Sequence, residues 1–191
     1  MLRKIAAFTL AGLLAGCATK DRVHTMRVSV PDQKIAVYKH GLEIARYDVS
    51  TSKFGLGDQC GSRCTPLGQL EIAKKFGGGQ RSGMKFKSRR PTGEIVAPNT
   101  PGRDPIVTRI LWLKGLEARN RNAYRRTIYI HGTAEEYKVG SPASYGCIRM
   151  RSRDVVELYS TVGKGARVEV TTDRLPSPIV QSPTAAGQPT L

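Results

Sequence analysis

The sequence predicts a mainly β domain with one helix late in the chain, framed by two ends that lie outside a packed core. Three observations carry this. Short runs rich in Ile, Val, Leu and Tyr recur at strand length between turn residues. Twenty Gly and 11 Pro supply turn punctuation that suits β structure better than a helical bundle. One stretch after residue 150 places its apolar residues at helical spacing. A chain of 191 residues fits one domain plus tails and can bury a core without metal or disulfide support. With 39% hydrophobic and 24% charged residues it is neither a polytopic membrane protein nor wholly disordered.

The first element is an address. Arg3 and Lys4 precede an apolar run, Ile5 to Leu14, and then Leu14-Ala15-Gly16-Cys17. The run falls short of the ~20 residues that span a bilayer, and fits a secretory h-region followed by a small-residue cleavage site. Cys directly after Leu-Ala-Gly resembles the bacterial lipobox. That resemblance implies a lipoprotein signal peptide over 1–16, removed before Cys17, and lipidation of Cys17. An ordinary signal peptide or an uncleaved anchor is the alternative. Several acyl chains on one residue give stable anchoring. Ala18, where Asp would retain a Gram-negative lipoprotein, points to the periplasmic face of the outer membrane; the inner membrane and the soluble periplasm stay open. Residues 17–25 read as a polar tether.

Lys34 to Lys39 reads as a strand turning at His40-Gly41 into a second, Leu42 to Val49. Further strands are expected at Leu70–Ala73, Val107–Leu113, Thr127–His131 and Arg167–Val170. Ser152 is the expected N-cap of a helix from Asp154 to Ser160, whose Val155, Val156, Leu158 and Tyr159 supply an apolar face. Gly77-Gly78-Gly79 is a turn, since no Gly-Lys-Ser/Thr follows. Residues 173–191, with Pro176, Pro178, Pro183 and Pro189 and few large apolar residues, read as a disordered Pro-rich tail.

Cysteine arithmetic isolates one thiol. Cys17 is assigned to lipid. Cys60 and Cys64 share a Gly-rich loop, and export favours their pairing as a disulfide. A metal site there lacks a second CxxC or a His pair, and a redox pair lacks the CxxC spacing. Cys147 is left over. Sixteen residues before it stands His131, on the strand-like run Thr127-Ile128-Tyr129-Ile130-His131-Gly132-Thr133. A catalytic Cys needs a base to make the thiolate and backbone donors for an oxyanion. Spacing alone makes His131 and Cys147 a candidate pair, against the alternative of a small core thiol.

His131-Gly132-Thr133, followed by Ser144-Tyr145-Gly146-Cys147-Ile148-Arg149, resembles the paired motifs of the YkuD-type L,D-transpeptidases, a family of cell-wall enzymes. Ser50-Thr51-Ser52-Lys53-Phe54-Gly55 and Thr65-Pro66-Leu67-Gly68 resemble the family's substrate-side loop and its Thr-Pro-x-Gly turn. The likeness runs over a catalytic domain of residues 26–172. It implies a YkuD-type β-sandwich with a few peripheral helices, one just after the nucleophile loop. Tyr145 departs from the family's usual His, and the Cys60/Cys64 pair is not part of its general pattern.

What the resemblance implies is acyl transfer on peptidoglycan stem peptides. Cys147 is then the nucleophile, His131 the base, and the Gly132 carbonyl the group that orients the imidazole. Backbone N–H groups near Tyr145, Gly146 and Cys147 face the oxyanion. Arg149 either binds a substrate carboxylate or braces the loop; Thr133 and Ser144 either order the site or cap turns. A thioester forms at Cys147 as terminal D-Ala leaves, and an amine resolves it, giving a 3→3 cross-link. A stem peptide, a D-amino acid or an envelope lipoprotein is the acceptor. Neither metal nor cofactor is implied. The alternatives are an L,D-carboxypeptidase or amidase using the same site, and an inert peptidoglycan-binding lipoprotein.

The net charge is +16, and residues 74–126 hold 14 Lys+Arg against 3 Asp+Glu, a local excess of 14 − 3 = +11. Nucleic acid is not the expected partner: export argues against it and no aromatic-interleaved motif accompanies the charge. Carboxylate-bearing peptidoglycan is.

Overall fold

A computed structural model describes residues 20–102 and 104–177. The expected signal peptide over 1–16, Cys17 and the tail from 178 onward lie outside the described residues. The chain forms a ten-stranded sheet with a single α-helix among the described residues. The strands are β1 His24–Ser29, β2 Lys34–Lys39, β3 Leu42–Asp48, β4 Gly68–Phe76, β5 Met84–Lys87, β6 Arg90–Ile95, β7 Ile106–Gly115, β8 Tyr129–Thr133, β9 Ile148–Met150 and β10 Arg167–Thr171; α1 is Ser152–Thr161. The mainly β class, with its helix just after Cys147, is therefore as expected.

Hydrogen bonding links β3-β2-β1-β10-β4-β7-β5-β6 in order, with β8 branching from β7 and β9 pairing with β8. Two pairs are parallel, β1 with β10 and β8 with β9. The sheet is one continuous, curled path. Alternating residues of its strands bury a common core: Val28, Ile35, Leu70, Leu111, Leu113, Ile130, Ile148 and Val168 are among those fully excluded from solvent. Valine and isoleucine fill five of these eight positions because their branched side chains pack well on a pleated surface. Helix α1 turns Val155 and Leu158 onto this core, and packs on β7 and β8.

The β2–β3 hairpin turns at the expected residues: His40 (φ 50°) and Gly41 (φ 82°) both take the left-handed conformation that a two-residue hairpin turn requires. Three boundaries and one expected pairing differ from expectation. Strand β1 begins inside the stretch read as tether, because the Asp21 carboxylate accepts the N–H groups of Val23, His24 and Gly163. Ser152 is the first helical residue, not the cap; Arg151 precedes it, and the Glu136 carboxylate accepts the Ser152 N–H at 2.7 Å. The first residues of the expected tail are held too. Arg174 pairs with Asp32 at 2.6 Å, the Asp32 carboxylate accepts the Leu175 N–H at 2.7 Å, and Arg46 donates to the Pro176 carbonyl at 2.8 Å. Finally, Cys60 and Cys64 are free thiols, not a disulfide. Each sulfur faces a different partner: Arg125 donates to Cys60 Sγ at 2.9 Å, and Cys64 Sγ donates to the Phe54 carbonyl at 3.1 Å.

Candidate active site

Strands β8 and β9 run parallel, with His131 opposite Arg149 and Ile130 opposite Ile148. Cys147 immediately precedes β9. This places the imidazole on one strand and the thiol just before its neighbour, and both line one cavity of about 640 Å³. Lys53, Arg63, Tyr145 and Arg149 share its wall. His131 and Cys147 thus face the same cavity.

His131 is 4% exposed. Its Nδ1 lies 2.8 Å from the Gly132 carbonyl oxygen. A carbonyl oxygen can only accept, so Nδ1 carries the proton and Nε2 is left with its lone pair. Burial pushes the His131 pKa down, against the Gly132 hydrogen bond and the nearby Asp104 charge, which raise it. Burial likewise raises the Cys147 thiol to about 11, opposed by the Tyr129 N–H and the charges of Arg126 and Arg149. The Tyr129 N–H points at Cys147 Sγ at 3.4 Å. Both groups therefore favour their uncharged forms at neutral pH.

The 144–147 loop is fixed by its own side chains. Ser144 Oγ donates to the Cys147 carbonyl at 2.6 Å and accepts the Gly146 N–H at 3.2 Å. Thr65 Oγ1, from the Thr-Pro-Leu-Gly segment, donates to the Gly146 carbonyl at 3.1 Å. Gly146 sits at φ 118°, and a Cβ there would meet the Cys64 and Arg63 carbonyls at 3.2 and 3.3 Å. The Gly146 N–H is thus occupied, whereas those of Tyr145 and Cys147 have no hydrogen-bond partner among the described residues. Ser50 and Ser52 bridge to Arg149 and Ser144, so the Ser50–Gly55 segment lies beside this loop.

Arg149, 3% exposed, is a brace. Its Nη1 donates to Asp104 Oδ2 at 2.6 Å and to Glu135 Oε2 at 2.9 Å. Thr133 Oγ1 donates to Asp104 Oδ1 at 2.6 Å. Burial alone would raise the Asp104 carboxyl; the Thr133 hydrogen bond and the Arg149 guanidinium outweigh it and hold the pKa below its ordinary value. Thr133 and Ser144 hence order the site. Asp104 and Glu135 escaped sequence reasoning, because each owes its place to a partner distant in sequence; the net positive charge of the flanking segment carried no pointer to them. Tyr129 is a core aromatic at 5% exposure, and Trp112 packs against it edge-on with centroids 5.7 Å apart. Among the described residues no three His, Cys, Asp or Glu side chains stand together as a metal site, and no helix is long and apolar enough to cross a membrane.

Comparison with known proteins gives a consistent answer. A sequence-family model described as the L,D-transpeptidase catalytic domain, YkuD, matches residues 24–170. A candidate L,D-transpeptidase of Bacillus licheniformis, YkuD, is 52% identical over 87 residues, 46% of this chain. Its Bacillus subtilis counterpart is 49% identical over 86 residues, 45% of this chain. The matched stretch spans about half the length of these curated relatives, 48% of each. Among solved structures, an L,D-transpeptidase from Xylanimonas cellulosilytica superposes with TM-score 0.51 at 15% identity, covering 80% of this chain and 62% of that one. At that identity the likeness is one of fold.

Proposed function

The chain belongs to the YkuD family of L,D-transpeptidase catalytic domains, and from that premise we propose that Cys147 carries acyl groups between peptidoglycan stem peptides. The observation that supports the reading is that a buried imidazole, tautomer-locked by Gly132, and a thiol just before the neighbouring strand line one cavity.

In the resting site both partners are neutral, so the thiol is deprotonated as it attacks. His131 Nε2 takes the Sγ proton while sulfur adds to the carbonyl carbon of the third stem residue. The developing oxyanion meets the backbone N–H groups of Tyr145 and Cys147, since Ser144 occupies that of Gly146. His131 returns the proton to the departing D-Ala amine, the C–N bond breaks, and a thioester remains. An acceptor amine then adds to the thioester carbonyl, its proton passes to Nε2, and the C–S bond breaks. One amide is exchanged for another, so the cycle needs no external energy source. Tyr129 N–H and the Arg126 and Arg149 charges favour the sulfur anion against the burial that disfavours it.

Such enzymes work in the cell envelope, and the Leu-Ala-Gly-Cys17 sequence supports attachment of this one by lipid at the periplasmic face of the outer membrane. Stem peptides are the donor, and an envelope lipoprotein is an acceptor class alongside a second stem peptide. The test is intact-mass detection of a covalent carbapenem adduct, followed by cross-linked dimer formation from purified tetrapeptide muropeptides. Wild type should give both; Cys147→Ala should give neither, and His131→Ala should slow acylation at least ~100-fold. Equal labelling of Cys147→Ala, or hydrolysed tripeptide with no dimer, overturns the transferase reading.

A further inference from the structure

Two cations at the cavity wall have no carboxylate partner among the described residues. Lys53 Nζ reaches only the Tyr145 hydroxyl, at 3.3 Å, and the Arg63 guanidinium makes no hydrogen bond. The cavity's other two cations differ: Lys138 pairs with Glu135, and Arg149 with Asp104 and Glu135. Among the described residues the lining charges are thus four cations against two carboxylates, 4 − 2 = +2 with His131 neutral, and the excess resides on Lys53 and Arg63.

These two are held rather than loose. Lys53 Nζ lies 4.7 Å from the centre of the Tyr145 ring and 5.3 Å from that of Phe54. The Arg63 guanidinium carbon lies 5.6 and 5.8 Å from the same rings. The rings themselves pack 5.4 Å apart. Ring faces carry the negative end of the aromatic quadrupole and attract both cations. Arg63 also adopts φ 59°, a left-handed conformation costly for a long side chain. The loop that imposes it is anchored: Ser52 Oγ donates to the Arg63 carbonyl at 2.6 Å, and a buried Arg126–Asp58 ion pair ties the loop to the body of the domain. Like charges held side by side repel. A fixed, unneutralised cation pair on a cavity wall is the complement of an anion.

We propose that Lys53 and Arg63, posed by Tyr145 and Phe54, form a subsite for a free carboxylate on the peptide whose neighbouring carbonyl is presented to Cys147. The proposal rests on the acyl-transfer reading for the reacting carbonyl and adds the chemistry that selects the donor. It also gives Tyr145, 60% exposed and two residues before Cys147, a use that a histidine in its place would serve less well: a broad ring face for two cations and a hydroxyl for one of them. Two carboxylates of a stem peptide lie next to the reacting carbonyl, the terminal D-Ala and any side-chain carboxylate of the third residue.

The experiment measures binding of synthetic tetrapeptides to Cys147→Ala protein by calorimetry. Four peptides are used: both carboxylates free, the terminus amidated, the third-residue side chain amidated, and both amidated. Amidation at one of the two positions should weaken binding roughly ten-fold or more, the loss expected of a charge-assisted hydrogen bond; that position names the source. Adding Lys53→Met and Arg63→Gln should abolish the preference while leaving the doubly amidated peptide bound as before; Lys53→Met alone, should the double variant not fold, should remove part of it. Equal binding of all four peptides, no binding of any, or a preference that survives both substitutions overturns the subsite. Failure of the acyl-transfer reading looks different: Cys147→Ala shows the carboxylate preference, yet wild type forms neither adduct nor cross-link.

Discussion

Cys147 and His131 titrate in opposite directions for one reason, exclusion of water. The thiol is pushed up to about 11 and the imidazole is pushed down. A raised thiol pKa means the folded state keeps its proton where a free thiol has lost it. The associated stability is present below the ordinary thiol value and is lost as pH rises through about 11. For His131 the sign reverses: the neutral ring's contribution holds above the ordinary histidine value and is lost as pH falls through the depressed one. In a Cys60→Ser/Cys64→Ser background, iodoacetamide alkylation of Cys147 should therefore keep accelerating from neutral pH to beyond pH ~9, without the plateau that an ordinary or low-pKa thiol shows. A rate already flat at neutral pH would mean that a thiolate–imidazolium pair pre-exists. Both residues were legible in the sequence because two short motifs place them. The Asp104 and Glu135 carboxylates were not, since what recruits them is a buried guanidinium, Arg149, reaching across the fold.

At the scale of elements, legibility followed length and periodicity. Strand β2 runs Lys34–Lys39 as read, and β3, β7 and β10 match to within two residues at each end. The missed strands have weaker local signals. Strand β6 is exposed at every residue and contains Pro91 and Gly93, β9 has three residues, and β1 carries His24, Thr25 and Arg27 between its apolar positions. Their pairing is set by neighbours rather than by propensity. Strand β8 shows how closely these elements constrain the site. A Cβ on Gly132 would meet the Val107 carbonyl oxygen at 2.7 Å, Thr108 Cβ at 3.0 Å and Val155 Cγ1 at 3.2 Å. None of these can swing aside. Thr108 is stitched by hydrogen bonds to Gly83 and Ser152 beside a register shift in β7, and Val155 is fixed in α1. Gly132→Ala should cost about 1–3 kcal/mol by urea denaturation. Because the displaced strand carries His131, carbapenem acylation should slow as well. Wild-type stability with a slower reaction would locate the effect in the Gly132 carbonyl alone; wild-type behaviour in both would mean that β7 and α1 yield freely.

For the whole molecule the governing quantity is charge. The +16 total is uneven, with 14 Lys+Arg against 3 Asp+Glu in residues 74–126. There Lys74, Lys87, Arg90, Lys114, Arg121 and Arg125 are exposed and have no carboxylate partner among the described residues. Such charges act on a polyanion over roughly a Debye length, ~8 Å at physiological salt and ~3 Å at 1 M. The Lys53–Arg63 pair, though exposed, works differently: it acts at contact range, on a cavity wall and against aromatic faces, through hydrogen bonds as well as through its field. The two should separate experimentally. Retention of the protein by isolated cell-wall sacculi should fall steeply as salt is raised toward ~1 M, and should fall likewise at low salt when these six cations are changed to Gln. The preference of the cavity for a carboxylate-bearing tetrapeptide should fall less steeply with salt than retention does, and should change little when the six cations are replaced. Retention that is indifferent to salt would show that the polymer is held by its peptides in the cavity and that the basic surface is only a solvated face. A peptide preference that collapses in parallel with retention would show instead one diffuse field, with Lys53 and Arg63 as two more members of it.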